Sequence, residues 1–406
     1  MKSVHSEIAR VRVRRALLAM ALVGVVSKAG VRAEEGAAPG ARKPVLELPI
    51  EETFQTVVVP VRINKSQVLR CILDTGMPEG VFVMDPAKLK DADIEYSGPV
   101  KLNGIGPEAQ DGQMAVGTMV RLGDLEFPAQ RVIVLDKPGE LARIGFDGAI
   151  GWSVFSTYVV QMDFDNDVVR LYRPEDFAAM PSETALPLSI AATRPFVEAH
   201  VQIDDHAAVP VSLMIDTGAS KSLSLNTGPE GGVAPPAQAL KSLLSSGVGG
   251  DTEGLLGRVA KLRLGSHELQ NLVTEFPTKA ASDRDGTLGM ETLQRFTVAF
   301  DCPNKRMYLT PNRRFADPFV HDMSGMALWP DESGRIRVRA VREASPAAAA
   351  GVQVGDIVRT IDGQSFSAVQ LSQVRDLLKV AGKTVRVELD RDGENFQAEL
   401  KLKQLI

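Results

Sequence analysis

Two aspartates stand in the same short setting: Asp74-Thr75-Gly76 closes "CILDTG" and Asp216-Thr217-Gly218 closes "LMIDTG". Each follows an aliphatic run of the kind that makes a buried strand. The chemistry that wants such a pair is general acid–base hydrolysis. Two carboxyls held a few ångströms apart cannot both ionise cheaply, so they share a proton and titrate together. One then takes a proton from water while the other donates to a carbonyl oxygen. That pairing hydrolyses a peptide bond without a covalent intermediate or a metal. The neighbouring threonine hydroxyl can brace the loop, and the glycine lets other backbone approach closely. An isolated Asp-Thr-Gly is an ordinary turn sequence, so the deciding question is whether the surroundings repeat as well.

They do. Residues 53–177 and 193–316 run in parallel: "VVVPVRI" leads to the first motif and "PFVEAHVQI" to the second. Glycine-punctuated stretches follow, "NGIGPEAQDGQMAVG" and "SSGVGGDTEGLLG", then "MVRLGDLEF" and "VAKLRLGSHEL", whose Gly-Asp and Gly-Ser suit hairpin turns. The halves meet again in "FDGAIGWSVFSTYVVQMDFDNDVVRLY" and "RDGTLGMETLQRFTVAFDCPNKRMYLT", each with Asp-Gly, a further Gly, a short helical turn and two strands around an Asn-containing turn. Asp74 lies 77 residues before Gly151 and Asp216 lies 73 before Gly289. Two copies of one unit that share a site are the simplest reason for such a repeat. The "DGAIG" and "DGTLG" segments read as strand ends that can also support the aspartate loops.

Residues 322–406 differ in composition. Ser345 is placed to cap a helix that has Pro346 in its first turn and Gly351 past its end. "LSQVRDLLKV" carries a helical apolar face, and "TVRVELDRDGENFQAELKL" alternates around an Asp392-Gly393 turn. This is a small αβ module.

The N-terminus of the chain is different again. Arg10, Arg12, Arg14 and Arg15 precede an apolar run from Ala16 to Val26, with small residues at "VRA". Residues 1–33 therefore read as a secretory signal whose apolar run is too short to span a bilayer, with the general and twin-arginine routes both open. Its removal takes away seven positive charges and one negative and changes the net charge from −5 to −11. An acidic chain without basic stripes excludes nucleic acid and anionic lipid as natural partners. With 44% hydrophobic and 24% charged residues the full chain reads as globular, and no integral membrane segment is expected once the signal is removed. Cys71 and Cys302 are too few for a disulfide scaffold; they read first as two buried thiols, with a single bridge chemically open after export. The five histidines include no HExxH pair, and neither a nucleophile elbow nor a phosphate loop occurs. No cofactor or metal is called for.

The paired halves resemble the aspartic peptidase superfamily, each lobe being closer to bacterial retropepsin-like proteins than to pepsin. The tail resembles a bacterial PDZ domain through "GVQVGDIVRTIDG", with "SGMALW" in place of the carboxylate loop. The resemblance implies a mainly β chain: two tandem aspartic-protease-like β-barrel lobes forming an intramolecular pseudo-dimer in a monomer, then a small α/β PDZ domain. The expected division is a signal at 1–33, linkers at 34–52 and 178–192, lobes at 53–177 and 193–316, and the PDZ domain at 322–406. It makes Asp74 and Asp216 the catalytic pair. Thr75, Gly76, Thr217, Gly218 and Ser220 become their support, with Ser220 steadying Asp216. In the PDZ loop, Gly325, Met326, Ala327 and Leu328 become the site for a peptide, through backbone amides aimed at its C-terminal carboxylate. Two departures stand out: Met77-Pro78 replaces a small residue and a hydroxyl, and no flap tyrosine occurs in 98–117. Pro78 cannot donate a hydrogen bond. Two readings follow. One is an exported, periplasmic or extracellular bacterial endopeptidase acting on peptide or protein substrates. The other is a weakly active or inactive envelope scaffold that binds peptides.

Overall fold

The computed structural model describes residues 43–78, 80–103, 108–179, 184–227, 232–247, 250–279 and 284–406. The expected signal and residues 34–42 of the expected linker lie outside the described residues. In chain order the first lobe holds β1 (Leu46–Pro49), β2 (Glu51–Thr53), β3 (Thr56–Ile63), β4 (Leu69–Leu73), β5 (Val81–Val83), β6 (Glu95–Asn103), β7 (Ala109–Leu122), β8 (Leu125–Leu135), β9 (Gly148–Ile150), β10 (Val159–Asp163) and β11 (Val168–Tyr172). The second holds β12 (Thr184–Ala191), β13 (Arg194–Gln202), β14 (Val209–Asp216), β15 (Leu223–Leu225), β16 (Leu240–Gly247), β17 (Gly250–Leu264), β18 (His267–Pro277), β19 (Gly286–Gly289), β20 (Phe296–Asp301) and β21 (Arg306–Pro311).

The repeat read in the sequence is a repeat of topology. One sheet runs β2-β3-β4-β9-β5-β8-β7-β6, with β3 also pairing β7. A larger sheet ends in β12-β13-β14-β19-β15-β18-β17-β16, the same order strand for strand, with β13 also pairing β17. The extra pairings curl each set of eight strands back on itself, as a barrel requires. The larger sheet begins β1-β11-β10-β20-β21-β12, three strands from each lobe. Its midpoint is the antiparallel pair β10–β20, with Val160 opposite Phe300 and Met162 opposite Val298. The two halves are thus related about one seam. Phe155 and Phe300 meet edge to face across it, ring centroids 5.7 Å apart, both fully buried in a core common to both lobes.

The segments expected as linkers carry part of this architecture. β1, β2 and β12 lie in 34–52 and 178–192, and β1 and β12 close the two edges of the interlobe portion. Their short length and proline content hid them from a periodicity reading. The turns around Asn166 and Asn304 repeat as expected: Asp163 Oδ1 accepts the Asn166 amide at 3.1 Å and Asp301 Oδ1 accepts the Asn304 amide at 3.2 Å.

The C-terminal module is a five-stranded sheet of β22 (Met326–Pro330), β23 (Ile336–Val341), β24 (Ile357–Ile361), β25 (Thr384–Arg391) and β26 (Glu394–Lys401), in that order. Its helices are α1 (Pro346–Ala349) and α2 (Leu371–Leu377). Ser345 caps α1 by accepting the Ala348 amide at 3.2 Å, and Gly351 takes the left-handed conformation past its end.

Candidate active site

Each aspartate ends a strand with a parallel neighbour. β4 pairs β9 with Leu73 opposite Ile150, and β14 pairs β19 with Asp216 opposite Gly289. On the other side, β5 and β15 run antiparallel to β9 and β19. The loop from aspartate to the next strand therefore crosses over the inserted strand, and the glycine ending that strand lies beneath it. A Cβ on Gly151 would collide with Met77 O, and one on Gly289 with Lys221 O. Backbone bonds fasten the crossing, from Trp152 N to Met77 O at 3.2 Å and from Met290 N to Ala219 O at 2.8 Å. Asp147 and Asp285, the acidic residues of "DGAIG" and "DGTLG", fasten its base. Asp147 Oδ2 accepts the Arg70 amide at 2.9 Å and Asp285 Oδ2 accepts the Ser212 amide at 2.7 Å. Sequence reasoning treated both as strand-end residues. Their equal position, four residues before Gly151 and Gly289, was the available signal.

The two loops grip each other. Thr217 Oγ1 donates to Leu73 O at 2.6 Å and accepts from Thr75 N at 3.0 Å. Thr75 Oγ1 donates to Ile215 O at 2.8 Å and accepts from Thr217 N at 3.0 Å. All four bonds are buried, where the low dielectric makes a satisfied network strong and a broken one costly. This places each carboxyl over the glycine of the opposite motif. A Cβ on Gly218 would lie 2.5 Å from Asp74 Cγ, and one on Gly76 would lie 2.8 Å from Asp216 Cγ. Asp74 and Asp216 are thus brought together, each against the loop of the other. Burial first, and then the charge of Asp216, hold Asp74 well above the ordinary carboxylate range. Asp74 is therefore the carboxyl suited to hold a proton.

Residues 199–292 match the family described as Aspartyl protease, a span that includes Asp216-Thr217-Gly218 and Gly289, and residues 337–391 match the PDZ domain family. The chain carries an aspartyl protease domain and a C-terminal PDZ domain. Among solved structures it is similar to an aspartic proteinase from Irpex lacteus at 13% identity and a TM-score of 0.46, covering 67% of this chain and 98% of that one. No curated protein matches it.

The two protease loops differ in how they hold their carboxyls. Asp216 Oδ1 accepts two amides, from Gly218 at 3.0 Å and Ala219 at 3.1 Å. Asp74 Oδ1 accepts the Gly76 amide at 2.7 Å, while the Met77 amide turns to Asp74 O at 3.4 Å. Ser220, expected to steady Asp216, is half-buried, and among the described residues no hydrogen bond joins its hydroxyl to that carboxyl. The Ala219 amide does this instead. Pro78 donates nothing, as expected, yet the first loop is braced from the other lobe. Thr193 Oγ1 donates to Pro78 O at 2.6 Å and Arg194 Nε donates to Gly76 O at 3.1 Å. Both come from the β12–β13 turn, the first two residues of the expected second lobe, where no local pattern marks a brace for the other lobe.

In the PDZ domain the loop expected to receive a peptide carboxylate already holds one. Asp322 Oδ1 accepts the Ser324 amide at 3.1 Å and the Gly325 amide at 2.8 Å, and Met326 N donates to Ser324 Oγ at 3.1 Å. Leu328 O accepts Arg375 Nη2 at 3.2 Å, and Met326, Ala327 and Leu328 pair with β23. The amides of Gly325 and Met326 are thus engaged within the domain, while β22 remains an edge strand of its sheet. The neighbouring aspartate could have been weighed from "HDMSGM", since a buried carboxylate seeks amides wherever they point together.

Proposed function

We propose that the chain is an endopeptidase that hydrolyses peptide bonds with water activated by Asp74 and Asp216. The observation that carries this reading is that the threonine grip sets each carboxyl against the glycine of the opposite motif, so that the two aspartates face one site. Asp216, with two amides on one oxygen, is suited to the ionised role, and Asp74 to carrying the proton. Asp216 takes a proton from water as its oxygen attacks the scissile carbonyl carbon, and Asp74 gives its proton to the carbonyl oxygen. When the resulting diol collapses, Asp216 passes its proton to the leaving nitrogen and Asp74 recovers one from the diol. The pair ends as it began.

The substrate class is an unstructured peptide or protein segment. The arginine-rich, apolar N-terminus supports export and a periplasmic or extracellular location, and no helix among the described residues is long and apolar enough to cross a membrane. Both lobes of one site lie in one chain, which supports action as a monomer. The test is Asp74→Asn and Asp216→Asn. Each keeps the shape but cannot exchange the proton, and each should lower peptide cleavage at least a hundredfold with an unchanged melting profile at acid pH. A loss of only a few-fold in either would exclude the shared pair and leave peptide binding without catalysis as the better account.

A further inference from the structure

Side chains alternate across a strand, so Ile72 points to the same face of β4 as the Asp74 that follows it, opposite to Cys71 and Leu73 in the lobe core. In register with Ile72 stand Val58 on β3 and Ala149 on β9, and Phe82 on β5 lies opposite Ala149. This apolar row flanks the catalytic carboxyl, yet its members are 2 to 5% exposed. They belong to one apolar cluster with Met326, Leu328, Trp329 and Leu371 of the PDZ domain. The matching row of the second lobe, Phe196, Met214, Thr287 and Ser224, is more polar and shares no such cluster.

The PDZ domain rests on both lobes. Arg375 lies over the Phe54 ring of the first lobe and over Trp329, 5.3 and 5.4 Å from the two centroids. Arg339 forms ion pairs of 2.6 Å with Glu140 of the first lobe and 2.9 Å with Asp251 on β17 of the second. Arg342 donates to Ser242 Oγ on β16 at 3.0 Å. β16 and β17 form the second lobe's long hairpin, the counterpart of β6 and β7. With Asp322 filling its loop and Arg375 bridging to β22, the domain makes its polar and aromatic contacts with the lobes rather than presenting an open cradle for a peptide end.

We propose that the partner of the PDZ domain is the protease itself: the domain is a clasp, pinned by Arg339, that covers the apolar face beside Asp74 and ties the second lobe's hairpin to the first. Peptide enters when the clasp opens. The gating half of this inference rests on the proposed peptidase function; the clasp itself does not. Arg339→Glu sets a negative charge against Glu140 and Asp251, and adding Glu140→Arg and Asp251→Arg restores both pairs with reversed sign. In a Trp152→Phe background Trp329 is the sole tryptophan and sits at the seam. Iodide quenching of Trp329 should rise at least twofold in Arg339→Glu and return in the triple reversal, and kcat/KM for a short unstructured peptide should rise several-fold and return with it. Quenching unchanged in a folded Arg339→Glu chain overturns the clasp. Raised quenching with unchanged or lower kcat/KM overturns the gating. If the wild-type chain cleaves no peptide, the failure lies with the peptidase reading, and the quenching series still decides the clasp. Should Arg339→Glu fail to fold, Glu140→Gln with Asp251→Asn removes the same two charges more gently and is read in the same way.

Discussion

At the scale of residues, the site consists of two carboxyls and the two threonines that fix the distance between them. Because the folded protein raises Asp74, the shared proton stabilises the fold at low pH, and that stability is lost as pH rises through the raised value. Asp74→Asn removes the charge that becomes unfavourable. Its melting temperature should exceed that of the wild type by a margin that grows from pH 4 to pH 8, and a constant or shrinking margin would contradict the raised carboxyl. Glu291, pushed up to about 7 by burial despite the nearby Lys379, Arg295 and Arg258, adds a loss of the same sign up to that pH. Glu291→Gln should flatten the melting curve in that range. The threonines act as a unit. Thr75→Val or Thr217→Val each leaves a buried carbonyl and a buried amide without their partner, at about 2–4 kcal/mol in denaturant unfolding. Each variant removes a different two of the four bonds, so the amount by which the double variant departs from the sum of the singles measures the coupling between the two loops.

At the scale of elements, much could be read in advance and for a physical reason. Aliphatic runs such as "CIL" and "LMI" can only be buried strands, and Asp-Thr-Gly straight after them fixes where the loops form. What escaped were features that depend on contact between distant segments. β1, β2 and β12 have little periodicity of their own and exist because β11, β3, β21 and β13 offer edges to pair with. The β12–β13 turn illustrates the same limit. Ala192 and Thr193 have left-handed backbone, as do Phe54 and Gln55 in the first lobe, so the two turns are one design. Their uses differ: Thr193 and Arg194 brace the first Asp-Thr-Gly loop, whereas Phe54 stacks on Arg375. No local pattern encodes that divergence. If the brace matters, Arg194→Ala should lower kcat about tenfold, equivalent to roughly 1.4 kcal/mol, with KM and melting temperature little changed. An Arg194→Ala protein with wild-type kcat would show that Pro78 leaves no deficit to correct.

At the scale of the whole molecule, an internal repeat has become asymmetric. The strand order is the same in both lobes, but only the first carries an apolar cleft face, and that face is where the PDZ domain sits. Ending the chain at residue 320 should expose Val58, Ile72, Phe82 and Ala149, raise binding of an apolar dye and lower the melting temperature; no change in either would mean the domain is independently tethered. The PDZ match and the alternating hairpin around Asp392 and Gly393 were legible in sequence. The contact partner was not, because ion pairs such as Arg339 with Glu140 join residues with no sequence relation to each other. The central claim is that two halves of one chain hold a single proton between Asp74 and Asp216 for use in hydrolysis. The measurement that tests it most directly is the pH dependence of kcat/KM for a short unstructured peptide. A shared proton predicts a bell with its maximum on the acid side and a steep fall as the last proton leaves the pair; activity that keeps rising through alkaline pH would contradict it.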